Sequence, residues 1–125
     1  MKITVKDNEY ELDLGIGFAL NLDSKYKFKQ KVAQDLDVEF GLGVQLLYGQ
    51  LTAVSIQGIV DFFNAGLADV PKKQIPQKEV QKAVEALAME KGGFKPLAHE
   101  CIEELKNVGL YQHIFEDPED LTKTA

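Results

Sequence analysis

Arginine and tryptophan are missing from all 125 residues, and cysteine occurs once. The 14 basic residues are all lysine, against 20 acidic ones, for a net charge of −6. Arginine is the side chain best shaped for paired hydrogen bonds to phosphate and to base edges. Its absence, together with an acidic balance, argues against a general nucleic-acid binder, which needs a basic face. A lone Cys101 cannot close an internal disulfide and suits a reducing compartment. No apolar run approaches the roughly 18 residues that span a bilayer. Met1-Lys2 opens a strand pattern instead of a secretory leader. The expectation is a cytoplasmic protein with no membrane and no nucleic-acid partner.

What is present has the balance of an ordinary globular domain, 45% hydrophobic and 27% charged, with room for one core. Ile3 and Val5 alternate with Lys2, Thr4 and Lys6; Tyr10, Leu12 and Leu14 then alternate with Glu9, Glu11 and Asp13. A period of two predicts a half-buried antiparallel ribbon with Asp7-Asn8 in the turn. Its solvent face carries lysine on one strand and carboxylates on the other, which favours cross-strand ion pairs. A hairpin alone is marginal in water, so its apolar face must rest on later helices.

Gly15-Ile16-Gly17 breaks the alternation. Phe18, Leu22 and Tyr26 then recur every four residues, which predicts a short helix. The glycine pair is not a dinucleotide loop, because position 20, where the third glycine belongs, is Leu. From Lys25 to Asp37 the chain is polar, and the reading is a solvated connector, either a weak helix or a loop. Val38-Glu39-Phe40 can supply a third short strand before Gly41-Leu42-Gly43. Val44, Leu47, Tyr48 and Leu51 mark a helix, and Thr52 or Ser55 can cap the next one.

That next helix, about residues 53–68, is the most hydrophobic segment. Ile56, Ile59, Val60, Phe63 and Leu67 form its main stripe, with Gln57, Asp61 and Asn64 in a polar stripe beside it. A third face, with Gly58, Phe62, Ala65 and Gly66, would let another backbone approach, within the fold or from a second chain. Pro71 and Pro76 bracket a linker. Two further helices follow: one over 77–89 with Val80, Val84, Leu87 and Ala88, ended by Gly92-Gly93, and one with Leu97, Cys101, Ile102, Leu105 and Val108, ended at Gly109.

The fold class is therefore α+β: an N-terminal antiparallel hairpin on a mainly helical domain of about four to five helices. Residues 1–115 are read as a single domain, with the hairpin and first helices in 1–70 and a helical pair in 76–115. Residues 116–125 are read as a disordered acidic tail. In Leu110-Tyr111-Gln112-His113-Ile114-Phe115 the apolar hook either folds back onto the domain, which is preferred, or docks on a partner.

Chemistry is hard to find. His99 and Cys101 are two apart and diverge on a helix, and no paired Cys or His spacing exists to bring in His113, so no metal site is expected. No Gly-x-Ser-x-Gly elbow and no Walker-type loop occurs. The expectation is no catalysis and no cofactor. Hydrophobic residues off their helix's main stripe are the candidates for a partner or oligomer contact: Gly58, Phe62 and Gly66, with Tyr111, Ile114 and Phe115 in the hook.

In its order of elements the chain resembles the tail assembly chaperones of long-tailed (siphovirus-type) phages and prophages of Gram-positive bacteria. The resemblance is carried by Met1-Lys2-Ile3-Thr4-Val5, Glu9-Tyr10-Glu11-Leu12, the helix from Gly17-Phe18-Ala19-Leu20 to Tyr26, and Val38-Glu39-Phe40-Gly41-Leu42-Gly43. It implies a non-virion protein of the host cytoplasm that binds the long helical tape measure protein and keeps it soluble. It also implies displacement by tail tube subunits, contact with the tail tube protein, self-association, and in many members a longer frameshifted product. Two other readings stay open: a small acidic phage regulator or inhibitor, and a minor structural subunit of the tail.

Overall fold

Lys6 and Asp7 both adopt positive φ, 50° and 67°, and together form the two-residue turn that a tightly twisted hairpin requires. The computed structural model describes residues 1–26 and 42–115 in full and 27–34 as backbone. β1 (Lys2–Val5) pairs antiparallel with β2 (Asn8–Glu11), Lys2 opposite Glu11 and Val5 opposite Asn8. The turn thus falls one residue earlier than Asp7-Asn8. Asn8 pairs with Val5, and its side chain bonds back to the Lys6 carbonyl. Lys2 meets Glu9 diagonally across the ribbon at 3.5 Å, an exposed pair of small energetic weight. The proposed third strand at 38–40 and the tail at 116–125 lie outside the described residues.

Beyond β2 the chain leaves the ladder, yet Leu12 and Leu14 remain buried. The Asp13 amide donates to the Gly66 carbonyl at 3.0 Å, so the hairpin exit is laid over the end of a later helix. α1 (Ile16–Gln34) buries Phe18, Leu22 and Tyr26 as their spacing requires, and continues through much of the segment read as helix or loop. α2 is Leu42–Thr52 and α3 Ile56–Gly66; α4 is Gln77–Lys91 and α5 Phe94–Asn107. A 3-10 segment, Gly109–Ile114, closes the described chain.

One apolar core joins all these elements. α2 packs on α1, α3 and α5, while α4 packs on β1, α3 and α5. At its centre Phe62 of α3 stands edge-on to Phe18 of α1 (centroids 5.7 Å apart) and to Phe63 (5.2 Å); Tyr111 lies 6.2 Å from Phe18. Edge-to-face rings add to the burial that drives the packing.

Helix ends follow their chemistry. Ser55 Oγ accepts from the Gly58 amide, so of the two expected caps Ser55 is the one used for α3. Gly92, at φ 99°, ends α4: its amide donates to Met89, and the Gly93 amide donates to Ala88. That is the paired-bond stop in which glycine takes the left-handed position.

Candidate functional site

Phe62 is 0% exposed, so of the two neighbours its face could admit, one within the fold and one from a second chain, the structure supplies the first. The small residues on that face do admit close neighbours, but from the same chain. A Cβ on Gly58 would stand 2.7 Å from Gln50 Cβ of α2, and one on Gly66 would stand 3.1 Å from Leu12 Cδ2. Gly58, Phe62 and Gly66 are therefore packing positions between α3, α2 and the hairpin exit.

The hook folds inward. The Tyr111 hydroxyl, buried, is one donor shared by the Leu14 carbonyl (2.7 Å) and the Gly15 carbonyl (3.0 Å). Burial first, then the negative charges of Asp13 and Asp23, push its pKa up to about 12. Phe115 stacks edge-on with Tyr48 of α2 at 4.9 Å and lies 5.7 Å from Lys106 Nζ. Ile114 and Phe115 keep part of their surface in solvent.

Sequence reasoning missed a buried polar cluster on α3. Asp61, one of the polar stripe beside the apolar one, is 1% exposed. Its carboxylate accepts from Lys25 Nζ, from the Tyr26 hydroxyl at 2.7 Å and from Gln57 Nε2 at 2.9 Å. Burial by itself raises the Asp61 pKa, but the hydrogen bonds from Lys25, Tyr26 and Gln57 outweigh it and hold the carboxyl below its ordinary value. Burial, then Asp61, pushes Tyr26 far above the usual phenol range. The available signal was a carboxylate set between Val60 and Phe62-Phe63 in the most apolar helix. Such a group is buried only when it has partners. Every polar partner here is already engaged, so the cluster reads as a brace between α1 and α3.

His99 stands exposed, while Cys101, two residues on, is fully buried. Burial, with Glu100 and Glu104 adding, raises the Cys101 thiol well above its ordinary range, where it is an inert core side chain. Among the described residues no three of His, Cys, Asp and Glu are grouped as metal ligands, and no helix is long and apolar enough to cross a membrane.

An apolar groove of about 550 Å³ lies between the α2–α3 corner and α5. Leu51, Val54, Pro96, Ala98 and Ile102 line it, with Thr52, Lys95 and His99 at the edge. Two other depressions have mixed linings: one between the hairpin and α4, with Ile3 and Leu87 beside Lys2, Glu9 and Glu90, and one between α1 and the 70–77 linker, with Leu67 and Ile75 beside Asn21, Lys25 and Asn64. Val54 gives the groove an unusual wall. The Val54 amide donates to Leu51 and the Ser55 amide to Gln50, the same paired-bond stop that ends α4. At α4 the left-handed residue is Gly92; at α2 it is Val54, at φ 56°. A β-branched residue there is strained by about 1–2 kcal/mol. Elsewhere, exposed apolar side chains stand on α1 (Ile16, 74%, and Leu20), on α3 (Ile56), on α4 (Met89) and at Leu110.

The family model described as phage tail assembly chaperone protein, TAC, matches residues 2–118. No match was found among curated proteins or solved structures.

Proposed function

The chain belongs to the phage tail assembly chaperone family, and from that premise we propose that it binds the tape measure protein and keeps it soluble until tail tube subunits enclose it. The observation that carries this reading is the family match across residues 2–118. The groove supports it physically. A long client with apolar helical faces is held by an apolar concavity between helices, and a transient hold needs no catalytic group. Family members have a non-catalytic role, and no enzymatic step is assigned here.

The finer parts of the reading are proposals too. The chain acts in the host cytoplasm of a Gram-positive bacterium infected by a siphovirus-type phage, stays out of the mature virion, and self-associates so that many weak contacts coat one client. Contact surface is assigned to the outer edges of Ile114 and Phe115 and to the exposed apolar residues, since Phe62 is occupied by the core.

Co-expression with the tape measure protein of the same phage, followed by size-exclusion chromatography with light scattering, tests the proposal. Co-elution of soluble client with several copies of this chain is the expected result. Aggregated client with this chain eluting alone overturns it. Recovery of the chain from purified virions would instead favour a minor tail subunit.

A further inference from the structure

Deepening the chaperone reading, and resting on it for the identity of the client, we infer that the groove between the α2–α3 corner and α5 seats one amphipathic helix of the client, whose apolar stripe is flanked by acidic side chains.

The lining of the groove is mainly apolar: Leu51, Ala98 and Ile102, with Val54 as one wall. The titratable side chains on its rim, Lys95 and His99, are both basic in a chain of net charge −6. Glu103 lies 3.9 Å from His99 but is also engaged by Lys106 at 3.6 Å. α5 begins at Phe94 with no acidic residue in its first turn, so its positive end adds to the charge of Lys95. On the opposite wall, the Leu51 and Gln50 carbonyls at the α2 terminus accept from the Val54 and Ser55 amides. An apolar slot with the Lys95 ammonium and the α5 N-terminus on its rim is complementary to an apolar helix with acidic flanks, and it disfavours a basic one.

Val54 is the second observation. Gly92 shows that this chain places glycine where a helix stop needs a left-handed residue, yet the groove wall keeps valine in that conformation at φ 56°. Glycine would relieve the backbone and remove the wall. The Val54 side chain is half-buried: part of it packs on the core, and the part that lines the groove is what a seated helix would meet.

The test uses two labelled helical peptides that share one leucine stripe, one flanked by glutamates and one by lysines, titrated by fluorescence anisotropy against the full chain. The glutamate peptide is expected to bind the wild type. It should bind about tenfold more weakly to Val54→Gly, which relieves the left-handed strain while giving up some packing on the core, and to Lys95→Glu, which alters an exposed residue and leaves the core untouched. The lysine peptide should prefer Lys95→Glu. Equal binding of both peptides, no binding of either, or undiminished binding by both variants overturns the inference. So does light scattering in which Val54→Gly splits a wild-type oligomer, since the groove would then hold a second copy. In co-expression, a Val54→Gly chain that solubilises the tape measure protein as well as the wild type overturns the groove and leaves the chaperone reading intact. A wild type that binds the glutamate peptide but leaves the client insoluble does the reverse.

Discussion

The Gly43 amide nitrogen lies 2.8 Å from Asp23 Oδ1, so a side chain of α1 caps the first turn of α2. The contact is tight enough to require glycine. A Cβ at position 43 would sit 2.5 Å from the Asp23 amide nitrogen and 2.6 Å from the Leu22 carbonyl carbon, both backbone atoms. Gly43→Ala is therefore expected to destabilise the protein by about 3 kcal/mol, because overpacking against a helix backbone exceeds the roughly 1 kcal/mol that alanine gains in helix propensity. At Gly49, in the same helix, a Cβ would meet no described neighbour within 4 Å, and Gly49→Ala should stabilise by up to about 1 kcal/mol. Urea unfolding of both variants checks the pair of opposite signs.

Asp61 should govern the acid limb of stability. Its folded-state pKa lies below its unfolded one, so on acidification the unfolded chain takes up protons first and the fold loses free energy. The contribution is present in full above the ordinary carboxylate range and is lost as pH falls through the folded value. Asp61→Ala leaves Lys25, Tyr26 and Gln57 without their shared acceptor and is expected to cost about 3 kcal/mol at neutral pH. That figure is at the low end for a buried pair, because about a third of the Lys25 side chain remains in water. Asp61→Asn should flatten the dependence between neutral and acid pH in denaturant titrations.

On the alkaline side the sign reverses. The Tyr111 pKa is raised from 10.0 to about 12, so the neutral phenol is favoured by the fold. Its contribution is complete below pH 10 and disappears as pH rises toward 12. Tyr26 is raised in the same direction, so Tyr111→Phe should weaken the alkaline transition without abolishing it. At neutral pH the same substitution removes the donor shared by the Leu14 and Gly15 carbonyls, at a cost of about 1 kcal/mol. Thermal melts across alkaline pH read both effects.

Phe62→Ser separates a packing role from a contact role. The ring touches Phe18 and Phe63 in the centre of the core. Its loss is expected to cost about 3–5 kcal/mol, the range for deleting a buried aromatic side chain. Calorimetry should show a large fall in melting temperature. Any loss of mass by light scattering should follow unfolding, not precede it. A fully folded variant with altered mass would reinstate Phe62 as an oligomer contact.

How far the sequence reaches can be seen in particular residues. The period of two at Ile3 and Val5 and the spacing of Phe18, Leu22 and Tyr26 each assign a buried face correctly, because local geometry alone dictates which side chains share a side. Ser55 as a cap and Gly92 as a stop are local in the same sense. The hairpin turn is displaced by one residue from its expected place: Asp7 takes positive φ in either frame, and the register of Val5 with Asn8 makes Lys6, not Asn8, its partner in the turn. The groove was not legible. Its walls come from positions 51–54 and 95–102, which no periodicity links.

By itself, then, the sequence determined the elements, their buried stripes and the order by which the family is known. These depend on neighbours a few residues apart. Tertiary structure alone decided that Phe62 is core, that Asp61 is a brace to Lys25 and Tyr26, and that Tyr111 holds the chain's end to Gly15. Each of those depends on what arrives from tens of residues away. A helix with apolar and small residues on several faces is compatible with more than one neighbour, and only the packing of the whole chain selects which face is left to meet a partner.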